Sequence, residues 1–318
     1  MPTSTQAGSH ARSELVDLDT LMRIRNLELR ARVVVQGFLS GLHRSPYHGF
    51  SVEFTEYRQY TPGDDPRYVD WRVFARSDRY FVKRFEDETN LRCHLLVDQS
   101  RSMGFGSLSY PKVQYATTFA ATLAFFLHGQ RDAAGLITFD EDVVEYLPAR
   151  YRPGHLHRLM LALERPVHGR ATDLAAPLRH VADLVAKRGL MVLVSDLLAP
   201  IDSLETHLGY LRARGHEIVV FQVLDPAELT LAFSEPALFH DMESGRDLYV
   251  DPATARRDYE NRMSQHNAAV RAACDRLGIE YHQLTTDQPL ELALFDYLRG
   301  RLERARSGVK AMRRRTRS

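Results

Sequence analysis

From Leu91 onward, short apolar runs alternate with segments of helical period. Leu91–Asp98 is a largely apolar run in which Leu95-Leu96-Val97 is closed by a carboxylate, the texture of a buried strand. Pro111 opens a helix expected to reach about Gly129, with Ser109 near its cap. Ala133–Phe139 and Val143–Leu147 read as paired strands around a turn at Asp140–Asp142. Helices are expected near His155–Leu163 and Asp173–Lys187, a buried strand at Gly189–Asp196, and a helix over Ser203–Arg214 closed by Gly215. Glu217–Leu224 is the next strand, and residues 230–250 read as an inserted hairpin turning at Ser244-Gly245. Asp251-Pro252 starts a long helix to about Leu277, closed by Gly278; Glu280–Leu284 is the last strand and Pro289–Arg304 the last helix.

The N-terminal part has a different texture. Residues 1–13 are polar and expected to be disordered. A helix capped by Asp19 or Thr20 is expected to run to about Ser40, with Leu21, Ile24, Leu27, Val34 and Phe38 near helical spacing. Between Gly41 and Glu88, aromatic and β-branched residues mix with turn signals such as Thr61-Pro62-Gly63-Asp64-Asp65, which predicts short strands and tight turns. The expected organisation is a disordered 1–13, a helix plus β-rich module over 14–88, an α/β domain over 89–305 and a flexible tail over 306–318. Strands alternating with helices predict a mostly parallel sheet covered on both faces. Ligands in such folds bind beyond the carboxyl ends of the strands, at a topological switch point.

Composition narrows the class. The 318 residues are 44% hydrophobic and 26% charged, ordinary for a globular protein. The longest apolar stretch, Phe119–Leu127, is about half of the roughly 18 residues that a membrane-spanning helix needs. Met1–Arg12 has no apolar core of a signal peptide. Cys93 and Cys274 lie in apolar contexts and give no disulfide framework, which fits buried thiols in a reducing, cytoplasmic setting. Residues 299–318 carry nine Lys or Arg and one Glu, a net of +8, which leaves −7 on the rest of a chain whose total is +1. The basic tail reads as a solvated segment, or as a contact for anionic lipid, nucleic acid or an acidic partner.

Three expected loops gather hard oxygen ligands at the carboxyl ends of strands: Asp98-Gln99-Ser100-Arg101-Ser102, then Thr172-Asp173, then Ser195-Asp196-Leu197. Asp98 and Asp196 supply carboxylates, and Ser100, Ser102 and Thr172 supply hydroxyls. Small hard donors suit Mg²⁺ or Mn²⁺, Mg²⁺ wanting roughly six oxygens. Two carboxylates with neutral hydroxyls innermost leave such an ion able to accept a further anionic oxygen, such as an Asp or Glu of another protein. The competing reading is a polar turn at Asp98 with internally satisfied side chains.

This D-x-S-x-S, Thr, Asp series resembles the metal-ion-dependent adhesion site of von Willebrand factor A domains, over about residues 90–300. Further upstream, Ser45, Gly49, Glu53-Phe54 and Arg58-x-Tyr60-x-Pro62-Gly63-Asp64-Asp65-x-Arg67-x-Val69-Asp70-Trp71, followed by Ala75-Arg76, look like the bacterial domain-of-unknown-function family number fifty-eight. That resemblance implies a von Willebrand A-like fold with an added N-terminal module, and a partnership with a MoxR-type AAA+ ATPase or its client. The residues themselves allow two roles for the Arg58–Trp71 stretch: a recognition surface, or a turn locked by ion pairs with Trp71 as a core anchor.

Other chemistry is poorly supported. No G-x-G-x-x-G follows the first strand and no G-x-x-x-x-G-K-[ST] occurs. A Mg²⁺-dependent hydrolase or phosphotransferase using Asp98 as nucleophile would want a second Asp where Ser100 stands, and there is no G-x-S-x-G elbow. His155-x-His157 reads as surface residues at a helix start, and Lys112 as a solvated charge. The expectation is a non-catalytic, metal-dependent protein-binding module with no specific nucleic-acid partner and no membrane span.

Overall fold

Six strands form one sheet in the order Glu280–Thr285, Glu217–Leu224, Leu190–Ser195, Arg92–Asp98, Ala133–Phe139 and Val143–Arg150, and the first five run parallel. The computed structural model describes residues 16–44, 56–59, 81–84, 91–166, 174–233, 235–240 and 247–298. In chain order the sheet comprises β3 (Arg92–Asp98), β4 (Ala133–Phe139), β5 (Val143–Arg150), β6 (Leu190–Ser195), β7 (Glu217–Leu224) and β10 (Glu280–Thr285). β5 is antiparallel to β4 and forms one edge. Around the sheet lie α1 (Leu18–Met22), α2 (Leu27–Arg44), α3 (Lys112–Gly129), α4 (His155–Leu163), α5 (Ala175–Leu184), α6 (Ile201–Ala213), α7 (Pro226–Thr230), α8 (Pro252–Leu277) and α9 (residues 290–298). Two short antiparallel ribbons complete the set, β1 (Glu56–Gln59) with β2 (Phe81–Arg84), and β8 (Ala237–His240) with β9 (Asp247–Val250).

Both faces of the sheet are covered, and strand alternation shows how. Leu96, Met191, Leu193, Ile218 and Val220 point to one side, into a core shared with Leu178 and Val181 of α5, Leu204 and Leu208 of α6, and Val270 and Cys274 of α8. Their neighbours point the other way. Phe221 meets Phe119 of α3 and Tyr297 of α9 edge-on, and Phe38 of α2 meets Phe126 and Phe295. With apolar contacts on both sides, α3 is buried around most of its circumference. Both cysteines are buried and neither is in a disulfide. Among the described residues, no helix is long and apolar enough to cross a membrane.

Several elements differ from the sequence expectation, each for a local reason. The first helix is two. Asp17, not Asp19 or Thr20, caps α1 by accepting from Thr20 N, and Asn26 starts α2 by accepting from Leu29 N at 2.7 Å. The break is held by Arg30, whose buried guanidinium donates to the Met22 and Ile24 carbonyls and to Thr118 Oγ1. β5 continues past Leu147 to Arg150. The β4–β5 ladder shifts register between Ala134 and Leu136, and a Cβ on Gly135 there would lie 2.6 Å from Ala149 N. α5 is shorter at both ends than Asp173–Lys187. α7 was not expected at all, although Asp225-x-x-Glu228 spells a capping box that the structure forms in full.

The described residues fall into two compact units, 1–39 with 91–318, and 40–90. The helical start of the stretch 14–88 therefore groups with the sheet. Of the second unit, the end of α2 and the β1–β2 ribbon are described. Residues 1–13, the 306–318 tail, most of the Arg58–Trp71 motif and the Ser244-Gly245 turn lie outside the described residues.

One core residue makes stability depend on pH. His94 is buried in β3, and desolvation, aided by the charges of His216 and Arg92, pushes its pKa down to about 4. The folded chain keeps it neutral while the unfolded chain protonates it near 6.5, so stability is full above that value and falls as pH drops towards 4. The loss approaches about 3 kcal/mol. Urea midpoints taken from pH 7 to pH 4.5 should fall less steeply for His94→Gln than for the wild type. Parallel profiles would remove His94 as the cause.

Candidate functional site

The chain leaves β3 for β4 and β5 on one side and returns to β6 on the other, so the switch point lies between β3 and β6. The carboxyl ends of these two central strands carry Asp98, Ser195 and Asp196, all fully buried. Register keeps them together: Val97 pairs with Val194 in the parallel ladder. Asp98 Oδ2 accepts from Ser195 Oγ at 2.6 Å, and Asp98 Oδ1 accepts from Ser100 N at 2.8 Å. The chain then turns through a 3₁₀ segment, Arg101–Gly104, that starts at Ser100 and places Ser100 Oγ 3.1 Å from Ser102 Oγ.

Asp196 is fixed from both its backbone and its side chain. Its carbonyl accepts from Gln222 Nε2 at 3.0 Å, and Gln222 is in turn held by Asn267 of α8 and the Tyr281 hydroxyl. Leu197, next in the chain, has φ of 55°, the left-handed region that a branched residue adopts only when its surroundings impose it. His266 of α8 holds that peptide, its Nε2 3.0 Å from Leu197 O.

Lys112 overturns the expectation of a solvated charge. It is fully buried at the start of α3, and its Nζ donates to Asp196 Oδ2 at 2.8 Å and to Glu228 Oε1 at 2.5 Å. The other Glu228 oxygen, Oε2, accepts from Asp225 N and completes the capping box of α7. Asp225, also fully buried, accepts from Ser107 N and Ser107 Oγ and so ties the loop before α3 to α7.

The electrostatics follow from this packing. Burial, reinforced by the negative charge of Asp196, pushes Asp98 up to about 7 against the opposing hydrogen bonds from Ser195 and Ser100. Burial likewise raises Glu228, while Asp196 and Glu228 together hold Lys112 above its ordinary value despite its own desolvation. Lys112 is shared between Asp196 and Glu228, so the three carboxylates Asp98, Asp196 and Glu228 have a single cation among the described residues bonded to them. The side-chain nitrogen of Gln99, between Asp98 and Ser100, is a buried donor with no hydrogen-bond partner.

Of the five expected ligands, the structure brings Asp98, Ser100, Ser102 and Asp196 to one end of the sheet. Thr172 lies outside the described residues. Among the described residues, no group of three or more His, Cys, Asp or Glu is placed to hold a metal. A set of two carboxylates and serine hydroxyls is of a different kind, and its hard oxygens and unbalanced negative charge fit a small divalent cation. His155 and His157 do not converge: His155 is buried with Nε2 2.9 Å from Ala134 O, and His157 is exposed. Sequence reading missed Lys112, Glu228 and Gln222. Only Glu228 carried a local signal, the capping box.

Residues 56–269 match the family model described as protein of unknown function DUF58, a span that contains every expected ligand. The chain belongs to the DUF58 family. An uncharacterised relative from Mycobacterium tuberculosis, Rv1480, is 30% identical over 292 residues, covering 90% of this chain and 91% of the relative. A second uncharacterised protein, MAV169 of Mycobacterium avium, is 28% identical over 155 residues, 48% of this chain and 90% of that one. Among solved structures, the conserved hypothetical protein BatB of Bacteroides thetaiotaomicron aligns at 12% identity with a TM-score of 0.47, covering 67% of this chain and 99% of BatB. The SpRpn10 VWA domain aligns at 15% identity with a TM-score of 0.39, over 63% of this chain and 92% of that domain. This DUF58 member has the α/β architecture that its sequence implied: a six-stranded, mostly parallel sheet with helices on both faces.

Proposed function

We propose that this chain is a binding module that grips a protein partner through a divalent cation held at the β3–β6 switch point. The observation that carries the reading is the pair of buried carboxylates, Asp98 and Asp196, fixed at neighbouring strand ends beside the Ser100 and Ser102 hydroxyls. Asp98, Ser100, Ser102 and Asp196, with Thr172 of the sequence motif, are the residues that would hold Mg²⁺ or Mn²⁺. When bound, the ion supplies an electrophilic position for a carboxylate oxygen of the partner. The protein's part is to hold the donors still, through Ser195 on Asp98 and through Gln222 and His266 on the Asp196–Leu197 backbone.

The module acts by capture, without turnover: Ser100 stands where a second acid would be needed, and Asp98 is already engaged by Ser195 and Ser100. The proposed partner is a MoxR-type AAA+ ATPase or its client in a reducing, cytoplasmic setting, an assignment that rests on family resemblance and on the two buried thiols. Titration calorimetry with MgCl₂ or MnCl₂ should give about one binding event per chain in the wild type and none at this site in Asp98→Ala. Equal binding by both proteins would refute the metal assignment. Co-purification with the ATPase should be lost in chelator and in Thr172→Ala. Survival of the complex under both treatments would show that the cation is not the grip.

A further inference from the structure

Two buried carboxylates at neighbouring strand ends repel one another, and burial penalises each. A site built this way would lose stability whenever its cation left, unless the protein carried a substitute charge. Lys112 meets the geometric requirements for one. Its ammonium is fully buried and comes from a different element than either carboxylate, the first residue of α3. It reaches Asp196 Oδ2 at 2.8 Å. Among the described residues, the other Asp196 oxygen, Oδ1, accepts a long bond of 3.3 Å from Leu198 N, so the two oxygens of the carboxylate are used differently.

Lys112 is itself anchored. Glu228 takes its Nζ at 2.5 Å, and Glu228 is fixed in turn by the Asp225 backbone at the start of α7. Asp225 returns to Ser107, five residues before Lys112, and closes a ring of hydrogen bonds around the loop that leads from Ser102 into α3. The ammonium is therefore held in register with Asp196 without help from any ligand.

We propose that Lys112 is a tethered counter-ion for Asp196, which keeps the protein folded when the divalent site is empty and thereby makes occupancy of that site reversible. The second half of this inference rests on the metal reading above; the first half does not.

The test is a set of full-length variants unfolded in urea, in chelator and in millimolar MgCl₂. In chelator, Lys112→Met should lower the folded-to-unfolded ratio by between about a hundred- and several thousandfold, the usual cost of stripping one partner from a buried ion pair. Adding Asp196→Asn, which removes the charge that Lys112 balances, should restore at least about tenfold of that loss, or restore folding outright if the single variant does not fold. A loss that Asp196→Asn leaves unchanged would overturn the counter-ion role and mark Lys112 as packing alone. MgCl₂ should stabilise Lys112→Met by a larger factor than it stabilises the wild type, because the cation then has no internal competitor. Rescue by Asp196→Asn with equal MgCl₂ response in both proteins would overturn the claim about reversibility and keep the counter-ion. Rescue with no MgCl₂ response in any variant would locate the failure in the metal reading.

Discussion

Phe221→Ala is expected to lower the stability of the chain by about 3–5 kcal/mol, among the largest effects open to a single substitution here. Phe221 is fully buried on β7. It stacks on His282 with centroids 5.1 Å apart and meets Phe119 at 4.6 Å and Tyr297 at 5.4 Å edge-on. Those neighbours belong to β10, α3 and α9, three elements fixed by their own packing, so the space left by the ring cannot readily close. Urea denaturation should show a lower midpoint with an unchanged slope. A loss under about 1 kcal/mol would mean that the aromatic cluster relaxes freely, contrary to its dense packing.

Asp225→Ala is expected to cost about 2–4 kcal/mol and to loosen the loop on which the candidate site depends. The substitution removes the cap of α7, worth about 0.5–2 kcal/mol, and leaves the Ser107 and Ala227 amides without their acceptor. Amide hydrogen exchange at Ser107 should quicken relative to amides in the β3 ladder. Asp225→Asn, which keeps an acceptor oxygen, should recover part of the loss. Unchanged exchange at Ser107 in the alanine variant would show that the loop is held by something other than Asp225.

The sheet was legible in the sequence because its central strands are buried on both faces. Leu91–Asp98, Gly189–Asp196 and Glu217–Leu224 are built around the apolar cores Leu95–Val97, Leu190–Val194 and Ile218–Phe221, and hydrophobic content alone marks such runs. The Asp98–Ser102 and Asp196 positions were legible because each carboxylate closes one of these runs. Helix ends were less so. The break at residues 23–26 depends on Asn26 and on the Arg30 guanidinium turning back onto two carbonyls, contacts that apolar spacing does not encode. Lys112 was misread for a related reason. A lysine at a helix start is ordinarily solvated, and what buries this one are Asp196 and Glu228, 84 and 116 positions away.

That separation along the chain has a consequence for how the site comes into being. Asp98 and Ser195 are 97 positions apart, and Lys112 reaches Glu228 across 116. Such distant pairings close late, after the local strand–helix units have formed, because each must first overcome the entropy of a long loop. A ligand that bridges Asp98 and Asp196 has nothing to bind until β6 has docked against β3. It is therefore expected to leave the refolding rate nearly unchanged and to appear almost wholly as slower unfolding. Occupancy of the switch point would then act as a clock on the native state, lengthening its lifetime without hastening its arrival.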